Sequence, residues 1–291
     1  MAKNSIRFAL ASVALLGVLV GGSTKGKTDE VPADFSKEVV ATPEAIQNVA
    51  LRGAPIAVWE TLEHGEQLEC LDCIAYVKPL LFDKDARVRE ISAWWLRRRL
   101  FGYAEVALEM RKVVEADADP ARRAAAANAL GEFMDPGGTK FLVKAAGDSA
   151  PAVRVAALKG LQRINDPEGA PAVTTGLGDG DVSVRKAAVE VATRLAGFKD
   201  VTAVAKLLSD PDAAVRGKAA DALGVFQAKG SVAGLAALAV TDGDEDVRVD
   251  AVNALGEIGD AAGKSAIEKA LNDASPRVRD AARVANLKLA L

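Results

Sequence analysis

The stretch DPDAAVRGKAADAL, residues 210–223, decides the fold, because the chain carries it in seven versions. The others are DKDARVREISAWWL (83–96), DADPARRAAAANAL (117–130), DSAPAVRVAALKGL (148–161), DGDVSVRKAAVEVA (179–192), DGDEDVRVDAVNAL (242–255) and DASPRVRDAARVAN (273–286). An arginine follows an aspartate by six residues in every copy. The pairs are Asp83 and Arg89, Asp117 and Arg123, Asp148 and Arg154, Asp179 and Arg185, Asp210 and Arg216, Asp242 and Arg248, and Asp273 and Arg279. Successive arginines lie 34, 31, 31, 31, 32 and 31 residues apart. A fixed period of this length marks a stack of repeated units.

Each unit reads as two helices. The second begins near the Val-Arg pair and carries apolar or small residues at i, i+3, i+4, i+7 and i+8. In residues 148–161 these are Val153, Ala156, Ala157, Gly160 and Leu161, a helical stripe and not strand alternation. The first helix is short and aliphatic, as in SVAGLAALAV (231–240), and stops at the aspartate turn. Gly224, Gly256, Asp135-Pro136 and Asp166-Pro167 are expected to end the second helices. The fold class is therefore all-α, with about seven two-helix repeats.

An aspartate in the turn can accept from free N–H groups at the start of the next helix. The planar fork of arginine can bond turn carbonyls and an aspartate of its own or the adjoining unit. The two columns together predict an Asp–Arg ladder along the stack. A strip of arginines for anionic ligands is the alternative, and the aspartate beside every arginine favours the structural reading.

The D-x5-R spacing and VR-xx-A pattern at a 31-residue period resemble the HEAT-repeat family, above all the short HEAT-like repeat of phycobilisome lyases. The resemblance covers residues 66–291. It implies a right-handed α-solenoid with a concave face used for protein binding. Seven units at about 8–10 Å per helix layer would extend roughly 60–70 Å.

Departures from the repeat gather at one end. Residues 59–103 hold all three Trp, both Tyr, both Cys and the single His. Trp95 stands in a column otherwise filled by Ala129, Gly160, Val191, Ala222, Ala254 and Ala285, which suits a ring covering the open end of the core. Trp94 stands in a column of mostly polar residues. Either the N-terminal helices fold over it, or it is an exposed anchor for a partner. With Arg97, Arg98 and Arg99 it forms the candidate partner-binding group. The competing reading of these arginines is a solvated helix end, where cations suit the dipole.

Cys70 and Cys73 are spaced C-x-x-C. Ile74 stands where a c-type haem site needs histidine, and zinc would need two further ligands. A redox centre would expect a βαβ setting. A local structural disulfide is the favoured reading in an exported protein.

Residues 1–22, MAKNSIRFALASVALLGVLVGG, have Lys3 and Arg7 ahead of an apolar run from Phe8 to Val20. This is the layout of a signal peptide, with an uncleaved N-terminal anchor as the alternative. Residues 23–41 read as a polar linker, and 42–65 as an irregular helical cap before the array at 66–291. The protein is thus expected to be exported, periplasmic or secreted.

Half of the 291 residues are hydrophobic and only 4% aromatic, which suits closely stacked small-residue helices. A net charge of −3, or −5 once Lys3 and Arg7 are removed, argues against a nucleic-acid partner. One histidine excludes metal sites built on two or three within one chain, and no catalytic constellation or cofactor motif is present. Enzymes of this repeat class that hydroxylate a lysine derivative use several His-Glu pairs. Here Glu63-His64 stands alone and in reverse order. The expected function is a non-catalytic scaffold for another protein. The alternatives are a tetrapyrrole-handling, lyase-like or chaperone-like factor, and a thiol–disulfide factor using Cys70 and Cys73.

Overall fold

The computed structural model describes residues 41–289. The expected signal peptide (1–22) and nearly all of the linker lie outside the described residues. Sixteen α-helices, and no strand, are found among those described. They pair in chain order: α1 (Pro43–Arg52) with α2 (Pro55–His64), α3 (Cys73–Val77) with α4 (Ala86–Arg97), α5 (Tyr103–Ala116) with α6 (Pro120–Phe133), and α7 (Thr139–Ala145) with α8 (Pro151–Ile164). Then follow α9 (Ala170–Leu177) with α10 (Val182–Ala192), α11 (Val201–Lys206) with α12 (Ala213–Val225), α13 (Val232–Thr241) with α14 (Glu245–Ile258), and α15 (Lys264–Ala270) with α16 (Pro276–Leu289). Second helices pack on second helices and form one layer, and first helices form the other. The result is a right-handed α-solenoid.

The segment expected as an irregular cap is a further helix pair. Proline opens both α1 and α2, and Thr42 caps α1 by accepting from the Ala45 N–H at 3.1 Å. Helix α1 packs on α3 and α2 on α4, so both layers continue to the N-terminal end. Trp95 is fully buried there, and its indole N–H donates to the Gly65 carbonyl at 3.0 Å.

The turns before the second helices divide their work between two residues. The column aspartate accepts from the N–H two residues on, as Asp210 does from Asp212 at 2.9 Å. That next residue is itself the N-cap in most units: Asp85, Asp119, Asp181, Asp212, Asp244 and Ser275 each accept from the first turn of their helix. Ala150 stands in this place before α8 and supplies no side-chain cap.

Gly224 and Gly256 do not end their helices. They lie inside α12 and α14, and the chain leaves the second helices at the left-handed residues Met134, Asn165 and Gly259, or after Val225. The physical reason is close approach. A Cβ on Gly131 would lie 2.7 Å from the Gly160 Cα, one on Gly224 3.1 Å from the Ala254 Cα, and one on Gly256 2.8 Å from the Ala285 Cα. Each glycine sits eight residues after its column arginine and meets the next second helix backbone to backbone. The joints α6/α8, α12/α14 and α14/α16, which have this glycine, are packed most closely. The joints α4/α6, α8/α10 and α10/α12 carry Arg97, Gln162 and Thr193 in that place and are looser.

Candidate functional site

The aspartate and arginine columns meet between units. Arg123 grips Asp148 with Nε and Nη2 at 2.8 Å each, and donates from Nη1 to the Asp117 carbonyl at 2.9 Å. The same two-sided grip joins Arg154 to Asp179, Arg185 to Asp210, Arg216 to Asp242, and Arg248 to Asp273. The arginine of one unit thus holds its own turn by a carbonyl and the following turn by a carboxylate. The hydrogen bonds from Arg123, Arg216 and Arg248 hold Asp148, Asp242 and Asp273 below the usual carboxylate range. For Asp179 and Asp210 burial pushes the other way and is outweighed by Arg154, Arg185 and the turn N–H groups.

The ladder has five such rungs. Among the described residues, Asp83 meets no arginine of a preceding unit and Arg279 meets no carboxylate of a following one. Arg89 is the exception inside the array. Its Nη1 donates to the carbonyls of Asp83 at 2.6 Å and Lys84 at 3.0 Å, but among the described residues it meets no carboxylate. Asp117, its counterpart in the pattern, is paired with Arg122 at 2.9 Å. The 34-residue spacing explains the mismatch: α5 runs unbroken for 14 residues, and Asp117 follows three residues later than the regular period would place it.

At this end the second-helix face opens. A cavity of about 180 Å³ lies between α4 and α6, walled by Arg89, Glu90, Asn128, Glu132, Lys159 and Arg163. A neighbouring cavity, also about 180 Å³, is lined by Trp59, Glu63, Glu90, Ile91, Trp94 and Glu132. A third, of about 290 Å³, lies beside Pro55, Ile56, Trp59 and Arg87. Glu90 borders all three, which form one run along α2, α4 and α6. Burial raises the Glu132 carboxyl, against Arg163, which pairs with it at 2.8 Å.

The four residues singled out around Trp94 have different fates. Trp94 is half-buried beside α2 and lines the cavity with Trp59. Arg98 stacks over the Trp94 ring at 3.7 Å and pairs with Glu66 at 2.6 Å. Arg97 donates to the Glu132 carbonyl at 2.9 Å, across the α4/α6 joint. Arg99 offers nothing to a partner, which corrects the expectation. It is fully buried, stacks on Trp95 at 4.2 Å, and donates to the carbonyls of Glu66, Leu68 and Trp95. Burial lowers its pKa. Its role is to hold the 65–69 loop by the carbonyls of Glu66 and Leu68.

Cys70 and Cys73 are joined in a disulfide at the start of α3, with both residues buried. His64, exposed, shares a 2.7 Å hydrogen bond with the Glu60 carbonyl. Among the described residues no three His, Cys, Asp or Glu side chains are grouped as a metal ion would need. No helix of the described residues is long and apolar enough to cross a membrane. Sequence reading missed Trp59 and Glu90 as wall residues; their only signal was proximity to the aromatic cluster.

Paired helices stacked through repeated inter-unit ion pairs define an α-solenoid of the helical-repeat class. The family model for HEAT repeats matches residues 107–194 and 201–288, and the chain belongs to the HEAT-repeat family. No curated protein sequence matches it. Among solved structures the chain is similar to YibA of E. coli, at 17% identity and TM-score 0.61, covering 85% of this chain and 92% of that one. It is also similar to a chain of a Kap95p–RanGDP structure, at 14% identity and TM-score 0.60, covering 85% of this chain and 38% of that one. An engineered protein shares 21% identity at TM-score 0.52, over 86% of this chain and 74% of that one. These likenesses concern the fold alone.

Proposed function

We propose that the chain is an exported, non-catalytic scaffold that binds another protein through the N-terminal part of its second-helix face. One observation carries this reading. The run of cavities walled by Trp59, Trp94, Glu63, Glu90 and Glu132 coincides with the place where the repeat loses its regularity. Half-buried indoles beside charged groups are what a protein interface uses as anchors. HEAT-repeat proteins generally bind other proteins, which supports the reading at the level of class. Export rests on Lys3, Arg7 and the apolar run Phe8–Val20.

Affinity capture from the exported fraction tests the scaffold. A specific partner is expected with the unaltered chain and with Val225→Ala, an exposed change on a middle second helix. Trp59→Ala and Trp94→Ala are expected to lose it. Equal retention by all four proteins would remove the N-terminal site. Cell fractionation followed by N-terminal sequencing checks the signal: a mature chain beginning soon after Gly22 in the exported fraction is expected, one beginning at Met1 there means an uncleaved anchor, and absence from that fraction removes export.

A further inference from the structure

We infer that Arg89 is a binding site for a carboxylate side chain supplied by a partner, in the place of the aspartate that its rung lacks. In five successive units the guanidinium is divided in the same way. Nη1 serves turn carbonyls, and Nε with Nη2 serve a carboxylate 25 or 26 residues further on. Arg89 keeps the first half of this arrangement, on the carbonyls of Asp83 and Lys84. That anchoring fixes the fork in the orientation of the other five. Its Nε and Nη2 have no acceptor among the described residues.

The carboxylate that the pattern assigns to it is taken. Asp117 accepts from Arg122 and from the Asp119 N–H, both at 2.9 Å. In its stead there is space on two sides of Arg89. One is the 180 Å³ cavity between α4 and α6, and a second of about 410 Å³ lies toward Lys84 and Arg122; Ala125 and Asn128 border both. A water occupies about 30 Å³, so either cavity exceeds what a carboxylate needs. Charge favours an anion. Arg89, Lys159 and Arg163 face Glu90 and Glu132 in the first cavity, and Lys84, Arg89 and Arg122 face Asp83 and Asp119 in the second. The first holds three cations against two carboxylates; in the second Arg122 is already paired with Asp117, which leaves Lys84 and Arg89 against Asp83 and Asp119. A planar, anchored guanidinium with a free edge suits bidentate capture of a carboxylate. Among the described residues Arg279 also meets no carboxylate, but it borders none of the cavities named here.

The occupant is an aspartate or glutamate of a segment lying along the second-helix face. For the partner this rests on the scaffold reading; for the site it rests on Arg89 alone. The test therefore uses a small probe and the full chain. N-acetyl-aspartate amide is titrated at constant ionic strength while the arginine Nε–Hε signals are followed by NMR, with N-acetyl-asparagine amide as the neutral control. The Arg89 signal is expected to shift saturably with the acidic probe only, while that of Arg154, whose carboxylate is present, stays in place. Arg89→Lys, observed through the signals of neighbouring Ala125 and Asn128, should weaken binding at least tenfold. Asn128→Asp, which offers an internal carboxylate to the same cavities, should abolish the response and raise the melting temperature. A response equal at Arg89 and Arg154, equal with the neutral probe, or undiminished in Asn128→Asp overturns the inference. Partner capture would be untouched by that result.

Discussion

The units from α7 to α14 and the units from α3 to α6 are built from the same pattern, yet they present different surfaces. In the first group Arg154, Arg185 and Arg216 each close on the next aspartate, and the columns between them are filled by alanine, glycine and valine. In the second, three changes suffice to open the stack. Arg97 replaces the small residue at the α4/α6 joint, Trp94 and Trp95 enlarge two columns, and a three-residue lengthening carries Asp117 away from Arg89. A regular solenoid is thus turned into one with a recognisable groove by a few side chains and one change of spacing.

Four experiments would break or sharpen this contrast, with unfolding followed by heat or urea. The largest effect is expected for Arg99→Ala, which strands the carbonyls of Glu66 and Leu68 and empties the space over Trp95. A loss of about 3–5 kcal/mol is expected. At roughly 2–4 °C per kcal/mol this is a fall of about 10 °C. A small effect would mean that the loop is held by other means.

Next comes the ladder itself. The Asp210 side chain is only 4% exposed, and Asp210→Ala leaves Arg185 without its carboxylate. About 2–4 kcal/mol should be lost. Arg89→Ala, in a rung with no carboxylate, should cost under about 1 kcal/mol. Equal losses would show that the carboxylate clamp on Arg185 is worth no more than the carbonyl grip that Arg89 makes. The third experiment concerns the joints. Gly131→Ala forces a Cβ to within 2.7 Å of the Gly160 backbone and should cost about 1–3 kcal/mol, whereas Gly180→Ala meets nothing within 4 Å. It should stay within about 0.5 kcal/mol or stabilise.

The smallest effect concerns pH. In the Lys218–Glu190 ion pair, two adjacent second helices meet through opposite charges. One unit on, the corresponding positions are Asp250 and Asp221. Burial, then the charges of Asp221 and Asp246, push Asp250 up to about 6, with Arg277 opposing. A carboxyl raised in the folded state favours folding as it takes up its proton, so this group should add stability as pH falls from 7 toward 4. Asp250→Asn should add about 1 kcal/mol at pH 7, after allowance for solvent, and nothing near pH 4. An equal gain at both pH values would place the effect outside titration. The ladder aspartates act in the opposite sense: their pKa values are lowered, so their contribution is lost as pH falls below the usual carboxylate range.

Much of the fold is legible in the sequence because a repeat states its rules seven times. The D-x5-R columns and the small-residue stripe identify the helix pairs and the residues that join them. What they do not state is which neighbour each arginine serves, since 25 residues forward and six residues back are both within reach of a stacked turn. Gly224 and Gly256 mislead for a related reason: glycine is read as a helix end, although here it serves contact between backbones. The groove is less legible still. Trp94 and Arg99 stand five residues apart in one motif, yet one lines a cavity and the other is wholly enclosed. Only the path of the 65–69 loop separates them.

The missing rung at Arg89 and the bulky residue at Arg97 fall at the same joint, and this has a mechanical consequence. The α6/α8, α12/α14 and α14/α16 joints are each held by both a carboxylate clamp and a glycine contact, whereas α4/α6 has neither. When a load bends the stack, strain concentrates where stiffness is least. Within the array of D-x5-R units α4/α6 is therefore the joint expected to yield first, and the cavity walled by Arg89, Glu90 and Glu132 lies in it.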